Sequence, residues 1–106
     1  MSKTKSLETC KEYLKLLLEK NELQTEALLV TATNKQVVCI SELARNILRL
    51  PVSSRTKKLL KQHSGVLESI GDKKKSIQAR RELIQEHSGE LILIVYSIKN
   101  RLLQIL

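Results

Sequence analysis

The apolar residues of this chain recur every three to four positions along most of its length. Between residues 35 and 50, for example, Val37, Ile40, Ala44 and Ile47 fall on one face of a helix. The chain has three glycines and one proline among 106 residues, too few for the turns that many short strands require. The sequence therefore predicts an all-α fold, a compact bundle of five or six short helices in a single domain spanning 1–106.

Capping and breaking residues divide this pattern into helices. Pro51 ends one helix, since the residue before proline disfavours the α conformation, and Asn34 is a candidate cap at its start. Ser53 or Ser54 caps the next helix, and Gly65 is a candidate break within it. The predicted helices cover residues 6–20, 22–32, 35–50, 54–70, 77–87 and 90–106.

The last segment contains the run LILIV, which by itself is compatible with a strand. Its polar residues favour a helix, because they recur at i, i+3, i+4 and i+7, the spacing of residues on one face of a helix. These residues are Ser97, Asn100, Arg101 and Gln104.

The net charge of +8 is concentrated in one part of the chain. Residues 1–50 form a near-neutral helical body with eight basic and six acidic side chains. Residues 51–81 carry nine basic and two acidic side chains. Residues 82–106 carry two basic and three acidic side chains, and they include the apolar helix 90–106. A basic segment of this kind favours contact with phosphates. The predicted nucleic-acid-binding residues are Arg55, Lys57, Lys58, Lys61, Lys73, Lys74, Lys75, Arg80 and Arg81.

Sequence-specific reading of bases has little support. The basic segment has no asparagine and only two glutamines, and the whole chain has only Tyr13 and Tyr96 for stacking. Non-specific binding, with double-stranded DNA as the expected nucleic acid, is the first hypothesis. The alternatives for the charge are a solvated face, an acidic protein surface and an anionic membrane surface; the membrane ranks last because Trp and Phe anchors are absent.

The second hypothesis is a protein–protein assembly or adaptor module. Its apolar C-terminal helix is expected either to lie centrally in the bundle or to pack against a second subunit as a homo-oligomer. The candidate interface residues are Leu91, Ile94, Val95, Ile98, Leu102 and Ile105.

Catalysis is not expected, and no cofactor or metal is predicted. The chain lacks a Gly-rich phosphate loop, HExxH and GxSxG. His63 and His87 each precede Ser-Gly, within the similar stretches KQHSGVLESI and QEHSGELILI. Two explanations account for this similarity: a duplicated helix–break–helix unit, or the same type of helix break occurring twice. We prefer the second explanation.

Cys10 and Cys39 both fall in apolar stripes, and we expect them to be unpaired core residues. The N-terminus has no apolar run typical of a secretory signal, and no run approaches the roughly 18 apolar residues that span a bilayer. The expected location is a reducing intracellular compartment, including the nucleus or a virion.

From residue 40 to the C-terminus the chain contains an amphipathic helix ending near Pro51, a basic helix with Lys57-Lys58-Leu59, a Lys-rich turn (72–76), the stretch 80–85 and an apolar tail after Gly89. This order resembles a segment of proteins from Polinton (Maverick) elements and adintoviruses. The resemblance covers about two-thirds of the chain. It implies a small basic protein of a double-stranded DNA virus or virus-derived element, associated with the virion core or packaged genome.

Overall fold

The computed structural model describes residues 10–105, with the side chain of Ile105 excepted. The described part of the chain is all-helical, as predicted, and has seven helices. They are α1 (Lys11–Glu19), α2 (Glu22–Val30), α3 (Asn34–Ile47), α4 (Ser54–Gln62), α5 (Ser64–Ile70), α6 (Ile77–Glu86) and α7 (Ser88–Ile105). The helix expected after Ser53 is divided at His63, two residues before Gly65, which accounts for the seventh helix.

Side-chain caps begin four of these helices. The Asn21 side chain accepts a hydrogen bond from the backbone N–H of Gln24 at the start of α2. Thr33, rather than the predicted Asn34, caps α3 through the N–H of Gln36, and the Gln36 side chain accepts from the Thr33 N–H in return. Ser53 and Ser76 cap α4 and α6. The start of each of these four helices is therefore determined locally by a polar side chain that satisfies a free N–H group.

The predicted apolar stripes meet in one core, and α7 lies against α1, α2, α4 and α6. Helix α3 packs against α1, α5 and α6 on the other side of this core. The most deeply buried side chains are almost all aliphatic: Leu14, Leu17, Leu18, Leu29, Val37, Ile47, Leu67, Ile70, Ile84, Ile94 and Ile98.

The two tyrosines and one threonine connect α1 and α2 to each other and to α7. The Tyr13 hydroxyl donates to the Leu28 carbonyl (3.1 Å), and burial raises the pKa of Tyr13 to about 12. The Tyr96 hydroxyl on α7 donates to the carbonyl of Lys20, between α1 and α2 (2.9 Å). Thr25 is fully buried and donates to the Leu17 carbonyl (3.0 Å). These bonds satisfy carbonyls near the ends of α1 and α2.

Cys10 and Cys39 are buried as predicted, but they are not free thiols. They form a disulfide that joins the residue preceding α1 to the middle of α3 across 29 positions of sequence. The expectation of unpaired cysteines is therefore wrong, because the packing of α1 on α3 brings the two Cα atoms to 5.6 Å. A reducing compartment was inferred partly from unpaired cysteines, so the location of the protein stays a prediction.

The two His-Ser-Gly stretches have the same local structure, a break between two consecutive helices. His63 separates α4 from α5 and His87 separates α6 from α7. Their backbone angles agree closely, with φ/ψ of −109°/14° and −108°/23°. Each histidine ends one helix, and the next helix begins at the serine that follows.

Candidate nucleic-acid interface

The first group of predicted cations lies on α4. Arg55, Lys57, Lys58 and Lys61 are all exposed, and we call them the helix patch. At 100° per residue they occupy less than half of the helix circumference, while Leu60 faces the core. Helix α4 contains no acidic residue, so no carboxylate on the same helix neutralises this surface.

The second group lies in the turn between α5 and α6. Lys73, Lys74 and Lys75 form the turn patch, in which the first two are exposed and Lys75 is half-buried. Asp72 holds the turn, since its carboxylate accepts from the Lys74 N–H (2.9 Å) and its carbonyl accepts from the Lys75 N–H (3.1 Å). The acidic residue in this turn therefore shapes the backbone that presents the lysines.

The two remaining predicted cations serve the fold. Arg80 is buried, and its Nη1 donates to the Ser41 hydroxyl on α3 (3.1 Å). Arg81 is half-buried and donates to the side chain of Asn34 and, more distantly, to the Ala32 carbonyl (3.4 Å). We therefore leave Arg80 and Arg81 out of the exposed interface, because both hold α6 against the start and middle of α3.

The exposed cations have no carboxylate partners. Within residues 10–105, ion pairs of 4.0 Å or less join Arg45 to Glu42 and both histidines to Glu90, and none involves either patch. Six exposed positive side chains and the half-buried Lys75 thus lack an internal counter-charge within 4.0 Å.

The two patches lie at opposite ends of α5. This helix has seven residues, a length of about 10 Å at 1.5 Å per residue. The described part of the chain measures 33 × 30 × 26 Å, which limits the distance between the patches. Phosphate groups on one ligand can span such a distance, because duplex DNA carries about one charge per 1.7 Å of its axis.

The predicted apolar interface on α7 is part of the core instead. Its described members are buried within the chain: Leu91, Ile94, Val95, Ile98 and Leu102. The side chain of Ile105 lies outside the described residues. Of the two arrangements expected for this helix, the structure has the central one, since α1, α2, α4 and α6 cover the apolar face. The outward face of α7 still carries Leu93, which is 52% exposed.

Both histidines converge on a single carboxylate at the start of α7. The Nδ1 atoms of His63 and His87 lie 2.7 and 2.8 Å from the two oxygens of Glu90. These hydrogen bonds, the one with His87 first, hold the pKa of Glu90 below its ordinary value. The cluster joins three helix ends, those of α4, α6 and α7.

The cavities of the described residues are small or open. An apolar void of about 20 Å³ lies between Leu17, Ile40 and Ile94, near the volume of one water molecule. A shallow groove of about 490 Å³ between the ends of α3 and α5 has a mixed lining that includes Arg49, Glu68 and Asp72. Within the described part of the chain, no cluster of three or more His, Cys, Asp or Glu is arranged to hold a metal. No helix there is long and apolar enough to cross a membrane.

Comparison with known proteins adds no assignment to this geometry. The chain matches no protein-family model, no curated protein and no solved structure.

Proposed function

We propose that this protein binds the phosphates of nucleic acid without sequence specificity and without catalysing a reaction. The observation that carries the proposal is the set of seven basic side chains that the helix patch and the turn patch present without carboxylate partners. Each lysine or arginine that neutralises a phosphate releases a condensed counterion, which favours binding at low salt. Double-stranded DNA is the proposed ligand.

The two tyrosines and the two patches offer little for reading bases. Both tyrosine hydroxyls donate to backbone carbonyls, and both rings are partly buried, so neither is placed to stack on an unpaired base. The exposed patches consist of lysine and one arginine, which contact phosphates well but distinguish sequences poorly. These features support backbone binding over sequence reading.

The biological setting follows from the resemblance to proteins of Polinton elements and adintoviruses. We propose a role in packing the genome of a double-stranded DNA virus or virus-derived element, in the nucleus or in the virion core. The resemblance includes both patches, because it spans the basic helix and the Lys-rich turn.

An acidic protein surface is the second candidate partner, and the same seven cations favour it. The assembly hypothesis based on the apolar face of α7 is not carried forward, since that face is buried within the chain. A homo-oligomer remains a proposal without a defined surface. Light scattering on a sizing column separates these candidates: a monomer that shifts on adding duplex DNA supports the first, and a stable oligomer that ignores DNA contradicts it.

The direct experiment measures fluorescence anisotropy of two unrelated duplexes of equal length at low salt. We expect equal dissociation constants for the two sequences and weaker binding when Lys73, Lys74 and Lys75 are all changed to alanine. The matched control removes the same charge from the near-neutral body, as Lys15→Ala/Lys35→Ala/Arg49→Ala. Equal losses in both triple variants would mean that net charge alone, and not the turn patch, drives binding.

A further inference from the structure

Arg80 is a buried cation that lacks an anionic partner. The residue is 9% exposed, its Nη1 donates to a neutral hydroxyl, that of Ser41, and its Nε is buried without any hydrogen-bond partner. No carboxylate oxygen of residues 10–105 lies within 4.0 Å of its guanidinium. Nε of Arg80 is the buried side-chain nitrogen or oxygen that stays unsatisfied in the described part of the chain.

Such an arrangement is costly for an arginine, because the guanidinium cannot lose its proton to avoid the penalty. A buried charge is normally paired, and a hydroxyl compensates for only a small part of the cost. The acidic residues on the flanking segments are already occupied. Glu42, next to Ser41, pairs with Arg45, and Asp72 holds the turn through the Lys74 N–H.

The surroundings of Arg80 favour an anion. Arg80 lies in the second turn of α6, where its N–H bonds to the Ser76 carbonyl, and side chains on a helix lean towards its N-terminus. The Ser76 hydroxyl accepts from the Ala79 N–H, which leaves the N–H groups of Ile77 and Gln78 without partners inside the helix. In the sequence, the turn patch and the positive end of the α6 dipole directly precede Arg80.

We propose that the Arg80 guanidinium, between Ser41 on α3 and the start of α6, is the centre of a binding site for a phosphate dianion. The planar fork of N–H donors matches two oxygens of a phosphate. Since only a small part of Arg80 reaches solvent, a small oxyanion fits the site better than a polymer strand. This site goes beyond the proposed function, because it needs no nucleic acid and none of the exposed patch residues.

The experiment is thermal unfolding of the protein while sodium phosphate replaces sodium chloride at constant ionic strength and pH 7.5. We expect the Tm of the wild type to rise with phosphate, and to rise with the logarithm of its concentration once that exceeds the dissociation constant. The reason is that a ligand of the native state, at free concentration L, stabilises it by RT ln(1 + L/Kd). Arg80→Met, which keeps the aliphatic volume, should lose the rise, whereas Arg55→Met in the helix patch should keep it. Equal Tm values in phosphate and chloride, or the same rise in Arg80→Met, overturn the proposal.

A second variant keeps the test decisive if Arg80→Met does not fold. Ser41→Asp places a carboxylate on the partner that Arg80 already contacts. We expect this variant to have a higher Tm than the wild type in chloride and to lose the response to phosphate, because the internal carboxylate occupies the site. A phosphate response equal to that of the wild type overturns the assignment to Arg80. Duplex binding plays no part in either readout, so failure here and failure of the proposed function are distinguishable.

Discussion

Gly71 occupies a crowded point between α5 and α3. A Cβ atom at this position would lie 2.6 Å from Arg45 Cγ and 3.3 Å from both the Arg45 nitrogen and the Leu67 oxygen. We expect Gly71→Ala to destabilise the protein by about 1–3 kcal/mol in urea unfolding, because two backbone atoms cannot move aside easily. Gly65→Ala is the control, since nothing lies within 4 Å of a Cβ there, and it should be neutral or stabilising by up to about 1 kcal/mol. Equal stabilities of the two variants would contradict this packing.

Glu90 gives a pH-dependent prediction. Hydrogen bonds with His87 and His63 lower its pKa in the folded protein, so its stabilising contribution is present above the ordinary glutamate pKa and is lost as pH falls through the lowered value. We expect Glu90→Gln to have a lower Tm than the wild type at pH 7 and the difference to shrink steadily in the acid range below about pH 4. Glu86→Gln, an exposed change of the same type, should leave Tm nearly unchanged at pH 7. A gap for Glu90→Gln that widens below about pH 4 would disprove the assignment.

Single residues differ in how much of their role the sequence can predict. Arg80 stands between Ile77 and Ile84 at helical spacing, so the apolar stripe of α6 already places it inward, although its positive charge suggested an exposed contact. The contacts of Glu90 are different. The repeated His-Ser-Gly hinted that the two breaks are alike, but only tertiary packing brings residues 63 and 87 to one carboxylate.

At the scale of the element, the start of α4 tests how a helix boundary is determined. Sequence reasoning left Ser53 and Ser54 as alternative caps, and in the structure the Ser53 hydroxyl accepts from the Thr56 N–H. We expect Ser53→Ala to cost about 1 kcal/mol in the free energy of unfolding, because that N–H loses its acceptor. Ser54→Ala is the matched neighbour and should change stability little, since Ser54 is already helical. A larger loss from Ser54→Ala in urea unfolding would reverse the assignment.

The environment of α7 was harder to predict than its conformation. The polar positions of residues 97–104 were enough to choose helix over strand, because periodicity is a local property. Whether the apolar face of α7 packs within its own chain or against a second subunit depends on how the other helices pack around it. Those helices cover the face completely at Ile94 and Ile98, which are about 1% exposed.

At the scale of the whole molecule, the disulfide connects the first described helix to the centre of the bundle. We expect the double variant Cys10→Ala/Cys39→Ala to lose about 3–4 kcal/mol of stability, the chain-entropy value for a closed loop of this size. Dithiothreitol should lower the Tm of the wild type and leave that of the double variant unchanged. A wild type whose Tm ignores the reductant would contradict the disulfide.

The overall arrangement was predictable only in part, for one physical reason. Helix positions follow from periodicity and caps, which are local, whereas the pairing of Cys10 with Cys39 depends on how α1 packs on α3. The same limit applies to the basic segment. Its charge was evident from the sequence, but the division into two exposed patches and two inward-facing arginines depends on the packing of α6 against α3.

The salt dependence of duplex binding tests the central claim most directly. Anisotropy titrations between 50 and 200 mM salt give the slope of log K against log salt, which is about −0.9 for each phosphate contacted on B-form DNA. We expect a steep slope for the wild type. In Lys57→Ala/Lys58→Ala/Lys61→Ala the slope should become shallower by the amount that corresponds to about two to three phosphate contacts. The control Lys15→Ala/Lys35→Ala/Arg49→Ala should keep the slope of the wild type. No binding at low salt, or the same slope in the wild type and the helix-patch variant, would contradict the account.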